Sequence, residues 1–451
     1  MQRNRTMIKK TMLAVLILTA GQVYAQDTAR KINQFSLQQA LDYAKQHAVQ
    51  VKNALLDVKI QHQVNRDVTS IALPQITGSG SVNEYLDIPI TVVPAEAFGG
   101  PAGSFQKIPF GTRWTANAGV NFRQMLFDGQ VFIALKARNG TMELSRKVEE
   151  LTEETIRANV YKIYYQLVVS KTQVQLLDAN ISRLEKLKHD MQVMYDNGFT
   201  EKLDINKMTV QLANLQTEKF KVTNMISNGY LGLKTLLGMP IKDSLALTDT
   251  LSDTQIKDGA LAISDMKYSD RRDFQISEIT NKLNALNVRR YKLSQYPTLS
   301  FVGNYSKQAQ RNEFDFFKKG DWFTTTYIGL QLNVPIFYGF SYRAKTEKAR
   351  LELQKSRNET EALKISIDNE VQTASNNFAT AIASMDYQKE NMTLAEEVYS
   401  QTKKKYEIGT GSTTEINTAE VDLKTAQTNY ITALYDAIIA RVDFLKATGK
   451  L

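Results

Sequence analysis

YDNGFTEKLDIN at 195–206 and YEIGTGSTTEIN at 406–417 share a Tyr, a Gly, an acid followed by Ile, and an Asn in the same order. They lie 211 residues apart without a gap, and the same offset relates Leu212 to Leu423 and Gly238 to Gly449. Upstream, Gly119, Phe127 and Gly129 recur as Gly329, Phe337 and Gly339 at an offset of 210, and Pro74 pairs with Pro297 at 223. Matches that keep their order at nearly constant spacing mark an internal duplication, and a repeat constrains the fold before any single element does. The halves cover about 36–240 and 268–450, with a polar stretch from Thr248 to Asp265 between them.

Each half carries the same order of elements. A helix comes first, 36–72 or 269–295, and Ser36 suits the N-cap of the former. Each ends before a proline that opens an extended segment. Two strands follow, 75–86 with 113–127 and 297–307 with 323–337, then a long helix over 130–194 or 340–405. A glycine-containing turn and a last helix, 201–237 or 413–447, complete each half. The long helix of the first half would run roughly 98 Å at ~1.5 Å per residue. The two short helices together hold 74 residues against 65 for the long one in the first half, and 62 against 66 in the second, so they can stack end to end beside it.

The strands alternate with period two, the mark of a sheet with unlike faces. Trp114, Ala116, Ala118, Val120 and Phe122 interleave with Thr115, Asn117, Gly119, Asn121 and Arg123, and Ile328, Leu330, Leu332, Val334 and Ile336 do the same in the second half. Strand 75–86 alternates less clearly. Apolar-out and polar-in is what a membrane barrel around an aqueous lumen requires; a half-buried hairpin of a water-soluble domain gives the same pattern. The last helix spaces Ala419, Leu423, Ala426, Tyr430, Ala433, Ala437, Ala440, Phe444 and Ala447 by four and three in turn, which specifies a left-handed coiled coil. The equivalent positions of the first half run from Met208 and Leu212 to Leu233 and Leu236, with Lys219 the one polar intruder. Leu434, Ile438, Val442 and Leu445 add a second stripe, so this helix can meet a neighbour on each side, as staves of a closed tube must.

Residues 1–25 have the form of a cleaved export signal: basic residues at 3, 5, 9 and 10, an apolar run from Met12 to Ala20, and Val23-Tyr24-Ala25 before the cut. Removing its four basic residues lowers the formal net charge from +9 to +5, a surplus too diffuse to indicate nucleic acid. With no Cys, neither disulfides nor a lipidated N-terminal Cys is possible. No later apolar run approaches the ~20 residues of a membrane helix, so a membrane crossing would have to use strands. His47, His62 and His189 are scattered, no nucleophile elbow lies between a strand and a helix, and no catalytic, cofactor or metal constellation emerges.

Together these features resemble the TolC-like outer-membrane efflux protein family over essentially the whole mature chain. The resemblance rests on Ser36-Leu-Gln-Gln-Ala-Leu41, Tyr296-Pro-Thr-Leu299, the paired glycine turns at 198 and 409, and Leu237-Gly-Met-Pro240. It implies a chain mainly α with membrane β-strands: a duplicated long-helix α-barrel plus a transmembrane β-barrel completed by trimerisation. The expected division is a signal at 1–25, a first repeat at 26–247, an equatorial linker at 248–267 and a second repeat at 268–451. It further implies a homotrimer in the outer membrane lipid of a Gram-negative bacterium, with a large periplasmic part. That duct passively carries substrate from an inner-membrane pump and a periplasmic adaptor, without enzymatic activity, cofactor or nucleic acid. A periplasmic coiled-coil adaptor is the competing class, but it would ordinarily show one helical hairpin between β-rich domains.

Carried over position by position, the resemblance assigns adaptor contact to Gly198, Phe199, Thr200, Gly409, Thr410 and Gly411, and a pore constriction to Asp204, Tyr406 and Glu415. The glycines equally suit left-handed helix ends, and Ser412 to Glu415 fits a capping box. Where the family often has a basic residue, two positions after the second glycine, this chain has Gly411; Lys202 or Lys403 to Lys405 are the nearest substitutes.

Overall fold

The computed structural model describes residues 32–250, 256 and 266–451; the expected signal and most of the expected linker lie outside the described residues. In chain order the elements are β1 (Ile32–Phe35), α1 (Leu37–His47), α2 (Val49–Ser70), β2 (Gln75–Glu84), β3 (Ile90–Pro94), β4 (Phe105–Pro109), β5 (Trp114–Phe127), α3 (Gly129–Asp196), α4 (Lys202–Leu237), β6 (Ser244–Leu247), α5 (Arg272–Leu293), β7 (Thr298–Arg311), β8 (Phe323–Asn333), α6 (Ser341–Glu407) and α7 (Thr413–Ala447). They fall into two compact units, one holding Asn159–Gln255 and Glu390–Tyr435 with the chain up to Ala48, the other holding the remainder.

In the first unit, β1 and β6 pair in parallel, Ile32 opposite Ser244. The Tyr164 hydroxyl, on a fully buried side chain, donates to the Phe35 carbonyl at 3.0 Å, while the Asp249 N–H donates back to it at 3.4 Å. This small sheet was not anticipated, because its strands have four residues each and sit some 200 positions apart. Ser36 caps α1 as expected, in a full capping box with Gln39. The continuous helix expected over 36–72 is instead broken at Ala48, whose ψ of 129° leaves the helical region. No local residue signals this break. It falls where Gly238, φ +71°, rests against the His47 carbonyl.

Most of this unit's core is coiled-coil seam. Leu184 and Met191 of α3, Ile205, Met208 and Leu215 of α4, and Ile416, Ala419 and Leu423 of α7 form one buried cluster. Each large side chain so buried contributes about 1.5–3 kcal/mol. The polar intruder Lys219 stays at the surface and pairs with Asp178 at 2.6 Å.

The second unit holds a four-stranded antiparallel sheet in the order β2-β5-β7-β8. Residues opposite one another in an antiparallel ladder share a face. One face therefore carries Ile76, Val82, Ala116, Ala118, Val120, Phe122, Phe301, Tyr305, Ile328, Leu330 and Leu332. The other carries Thr77, Ser79, Ser81, Asn83, Asn117, Asn121, Asn304, Ser306 and Gln331, with Asn304 Nδ2 donating to Asn121 Oδ1 at 2.8 Å. The weak alternation of 75–86 is thus resolved: Gly78 and Gly80 simply occupy apolar-face positions. β8 stops at Asn333 rather than 337, since Pro335 has no N–H to give the ladder. β3 and β4 form a separate hairpin inside the segment 87–113.

The duplication is visible in helix lengths and ends. α2 (22 residues) and α4 (36) together fall ten short of α3 (68), and α5 (22) and α7 (35) fall ten short of α6 (67). The helix expected at 269–295 begins at Arg272, after a 3-10 turn at Tyr268–Asp270. Gly449, the counterpart of Gly238, packs against that turn, where an added Cβ would lie 2.8 Å from the Asp270 carbonyl oxygen. Beside it, buried Arg271 donates to the Ala447 carbonyl at 3.0 Å and pairs with Asp273 and Glu370 at 2.6 and 2.9 Å.

Candidate functional site: the paired helix turns

Both turns lie in the first unit, and both begin with the same device. Gly198 (φ +79°) and Gly409 (φ +80°) are left-handed, and each sits in a two-bond helix terminus. The Gly198 N–H donates to Tyr195 O and the Phe199 N–H to Met194 O; the Gly409 N–H donates to Tyr406 O and the Thr410 N–H to Lys405 O. Nothing lies within 4 Å of an added Cβ at either glycine, so backbone conformation alone selects Gly there.

Past the glycines the turns diverge. Phe199 is 79% exposed, an aromatic ring presented to solvent, whereas Thr200 is half-buried and its hydroxyl donates to Asp204 Oδ2 at 3.3 Å. Asp204 also pairs with Lys207 at 3.2 Å, and the N-cap residue Glu201 makes no side-chain cap bond. The second turn restarts through a complete capping box: the Glu415 N–H donates to Ser412 Oγ at 3.1 Å and the Ser412 N–H to Glu415 Oε2 at 3.3 Å. Glu415 is exposed and Ile416 beside it fully buried. Gly411 has a steric reason: its N–H donates to Lys405 O, and a Cβ would lie 2.9 Å from the Tyr406 nitrogen. A basic side chain at 411 would therefore force this turn open, while Lys403 of the neighbouring basic run pairs with Glu407 at 3.7 Å.

Tyr406 is half-buried, and its hydroxyl donates to Met194 Sδ at 3.4 Å. Burial raises its pKa above the usual phenol value, and the carboxylates of Asp204 and Asp190 push it the same way. Five of the nine residues singled out from the sequence are exposed; Thr200, Asp204, Tyr406 and Gly411 are partly covered.

A polar cluster further along the seam escaped the sequence reading. Asn180 Nδ2 of α3 donates to Gln427 Oε1 of α7 at 3.0 Å, and both side chains are buried. One turn away Arg183 donates to Asn180, lies 3.6 Å from Glu420 Oε1, and stacks over the Tyr399 ring at 5.4 Å. Glu420 is only 4% exposed, and neither of its oxygens makes a well-formed hydrogen bond among the described residues. Burial raises its pKa, against the lowering influence of Arg183; burial beside Glu420 pushes the Tyr399 phenol up to about 12. A signal existed: stepping back from Ile438 by four and three gives Leu434, Ile431, Gln427, Lys424 and Glu420. The second apolar stripe of α7 thus turns polar as it nears the turn.

A sequence profile for the family described as outer membrane efflux protein matches residues 271–450. The chain is similar to the outer membrane protein TolC of Vibrio cholerae, 19% identical over 337 residues that cover 74% of this chain and 77% of that one. It is 21% identical to the outer membrane efflux protein BepC of Brucella suis over 98% of this chain and 91% of that one. Among solved structures, the outer membrane protein VceC of Vibrio cholerae matches with a TM-score of 0.71 at 15% identity, over 92% of this chain and 96% of that chain. The CmeC outer membrane channel of Campylobacter jejuni matches at 0.72 and 17% identity, over 92% of this chain and 85% of that chain.

Proposed function

The chain belongs to the TolC-like outer-membrane efflux protein family, and from that premise we propose that it is the passive outer-membrane duct of a tripartite efflux or type I secretion system. The observation that carries this is the four-stranded sheet with one apolar and one polar face. Its outer strands, β2 and β8, each pair on one side only among the described residues. Unpaired strand edges are unstable within lipid, and closure into a barrel removes them. Three copies supply about twelve strands, within the range of such barrels.

In this proposal the leader 1–25 is cleaved on export. The repeats 26–247 and 268–451, joined by the linker 248–267, each give one hairpin to the barrel and one long helical hairpin to the periplasmic part. The turns at Gly198–Thr200 and Gly409–Gly411 meet a periplasmic adaptor, which links the duct to an inner-membrane pump. Exposed Phe199 supports the contact at the first turn. Asp204, Tyr406 and Glu415 line the constriction, and the duct performs no catalysis. The competing adaptor reading is disfavoured by the sheet, whose apolar residues stand exposed: Ile328 by 77%, Leu330 by 67% and Leu332 by 63%.

The test is fractionation followed by planar-bilayer conductance of the purified protein. A trimer in the outer-membrane fraction that conducts ions is expected; a water-soluble monomer would overturn the proposal. Leu330→Arg places a charge on the apolar face and is expected to cost about 2–4 kcal/mol at the bilayer midplane, depleting the inserted trimer. Gln331→Arg, one residue on and facing the lumen, should leave insertion intact. Equal behaviour of the two would mean the faces are misassigned. For the constriction, Glu415→Ala is expected to raise conductance while lowering helix stability by about 1 kcal/mol through loss of the capping box. Unchanged conductance with lowered stability would reduce Glu415 to a cap.

A further inference from the structure

The apolar face of the sheet carries a lysine, Lys307, that forms no ion pair among the described residues. Lys307 stands in register with Ala118 and Thr324, so its side chain leaves the sheet on the same side as Val120 and Leu330. The one carboxylate that the four strands place on this face is Glu84, and it is taken by Arg113 at 2.8 Å. An ammonium on such a surface either reaches the interface or finds an anion.

The surroundings of Lys307 are built. Gly78, Ala118 and Val120 floor a shallow depression of about 580 Å³, bounded by Tyr305, Lys307 and Trp322. Trp322 is held there by the loop 312–322, which folds back over the apolar face. Ala116 and Ala309, opposite each other in register, leave a recess that Phe316 fills, and Phe314 meets Trp114 edge-on at 5.0 Å. Arg311 ties the loop down, donating to the Asp321 carbonyl at 3.0 Å and pairing with Asp315 at 3.4 Å. The result is a groove with small residues below, aromatic rings at the side and one cation, the make-up of a site for an amphiphile at a membrane interface.

We propose that this groove binds a phosphate-bearing lipid of the outer leaflet, its phosphate on the Lys307 ammonium and an acyl chain over Gly78, Ala118 and Val120. The assignment rests on the reading of this face as the lipid-facing wall of the barrel. A neighbouring copy is the weaker occupant, because copies join through the free hydrogen-bonding edges of β2 and β8, whereas Ala118 and Val120 of the floor stand on β5 and the cation on β7, both inner strands.

Trp322 provides the readout. The trimer, carrying Trp114→Phe so that Trp322 is the sole tryptophan, is placed in phosphatidylcholine nanodiscs doped with chain-brominated phosphatidic acid or chain-brominated phosphatidylcholine. Brominated phosphatidic acid is expected to quench Trp322 at lower mole fraction. Lys307→Gln should remove about fivefold of that preference, the factor one lysine contributes at an anionic surface. Lys307→Arg should keep it, as should Lys318→Gln with Lys319→Gln. Equal quenching by the two lipids, survival of the preference in Lys307→Gln, or its loss on adding excess inorganic phosphate would each overturn the proposal. Absence of quenching by either lipid in a trimer that inserts and conducts would show that a protein surface covers the groove, also overturning it. Failure to insert at all would instead count against the duct.

Discussion

Gly238→Ala is expected to lower the melting temperature of the purified trimer far more than Gly198→Ala, although the two glycines end their helices in the same way. Both have φ near +75° and both sit in the same two-bond terminus. A left-handed alanine costs about 1–2 kcal/mol, and at Gly198 that is the whole effect, because its Cβ position is empty. At Gly238 the Cβ would press into the His47 carbonyl oxygen and lie 2.9 Å from its carbon. Both partners are backbone, so no rotamer relieves the overlap, and overpacking of this kind adds about 1–3 kcal/mol. Gly449→Ala should fall between them, since its Cβ meets Asp270 O at 2.8 Å. Thermal denaturation of the three variants ranks them, and equal melting of Gly238→Ala and Gly198→Ala would remove the His47 contact as the reason for glycine.

The second large effect is expected at the buried polar cluster. Arg183→Met takes from Glu420, buried in the seam, the guanidinium that lies 3.6 Å from it. Removing one partner of a buried pair costs about 3–5 kcal/mol, and the lower end applies because Arg183 keeps some exposure. Arg183→Met combined with Glu420→Leu should recover most of the loss, as apolar replacements of buried pairs generally do.

The cluster also gives the turn region a pH dependence of definite sign. Glu420 has its folded pKa raised by burial, so the folded state binds the proton more readily than the unfolded chain. Its contribution is fully present below the unfolded glutamate value of about 4.3 and is lost as pH rises through the raised folded value. Amide exchange over residues 413–430 should therefore slow as pH is lowered through that window, after correction for intrinsic exchange rates. Glu420→Gln should flatten the dependence. A slope that persists in Glu420→Gln would place the titrating group elsewhere.

The duplication, the long helices, the strand pairs and the seam residues were all legible in the sequence because each depends on local periodicity. A 4-3 spacing from Ala419 to Ala447 or a period-two run from Trp114 to Phe122 specifies which side chains share a face, whatever lies opposite. Left-handed glycines and the Ser412–Glu415 box are legible for the same reason, since their hydrogen bonds close within a few residues. The nine residues of the two turns could be located in this way, but not their exposure: Phe199 and Glu415 face solvent, while Tyr406 is covered by Met194 from a helix some 200 residues earlier. Only tertiary structure decided the break at Ala48, the parallel pairing of β1 with β6, the fold-back of Phe316 and the burial of Glu420. Each depends on the identity of a segment remote in sequence: the Gly238 turn, the Tyr164 hydroxyl, the Ala116–Ala309 recess, the Arg183 side chain. Periodicity determines which face of an element is apolar; which atoms meet that face is decided by packing between segments that no local pattern encodes.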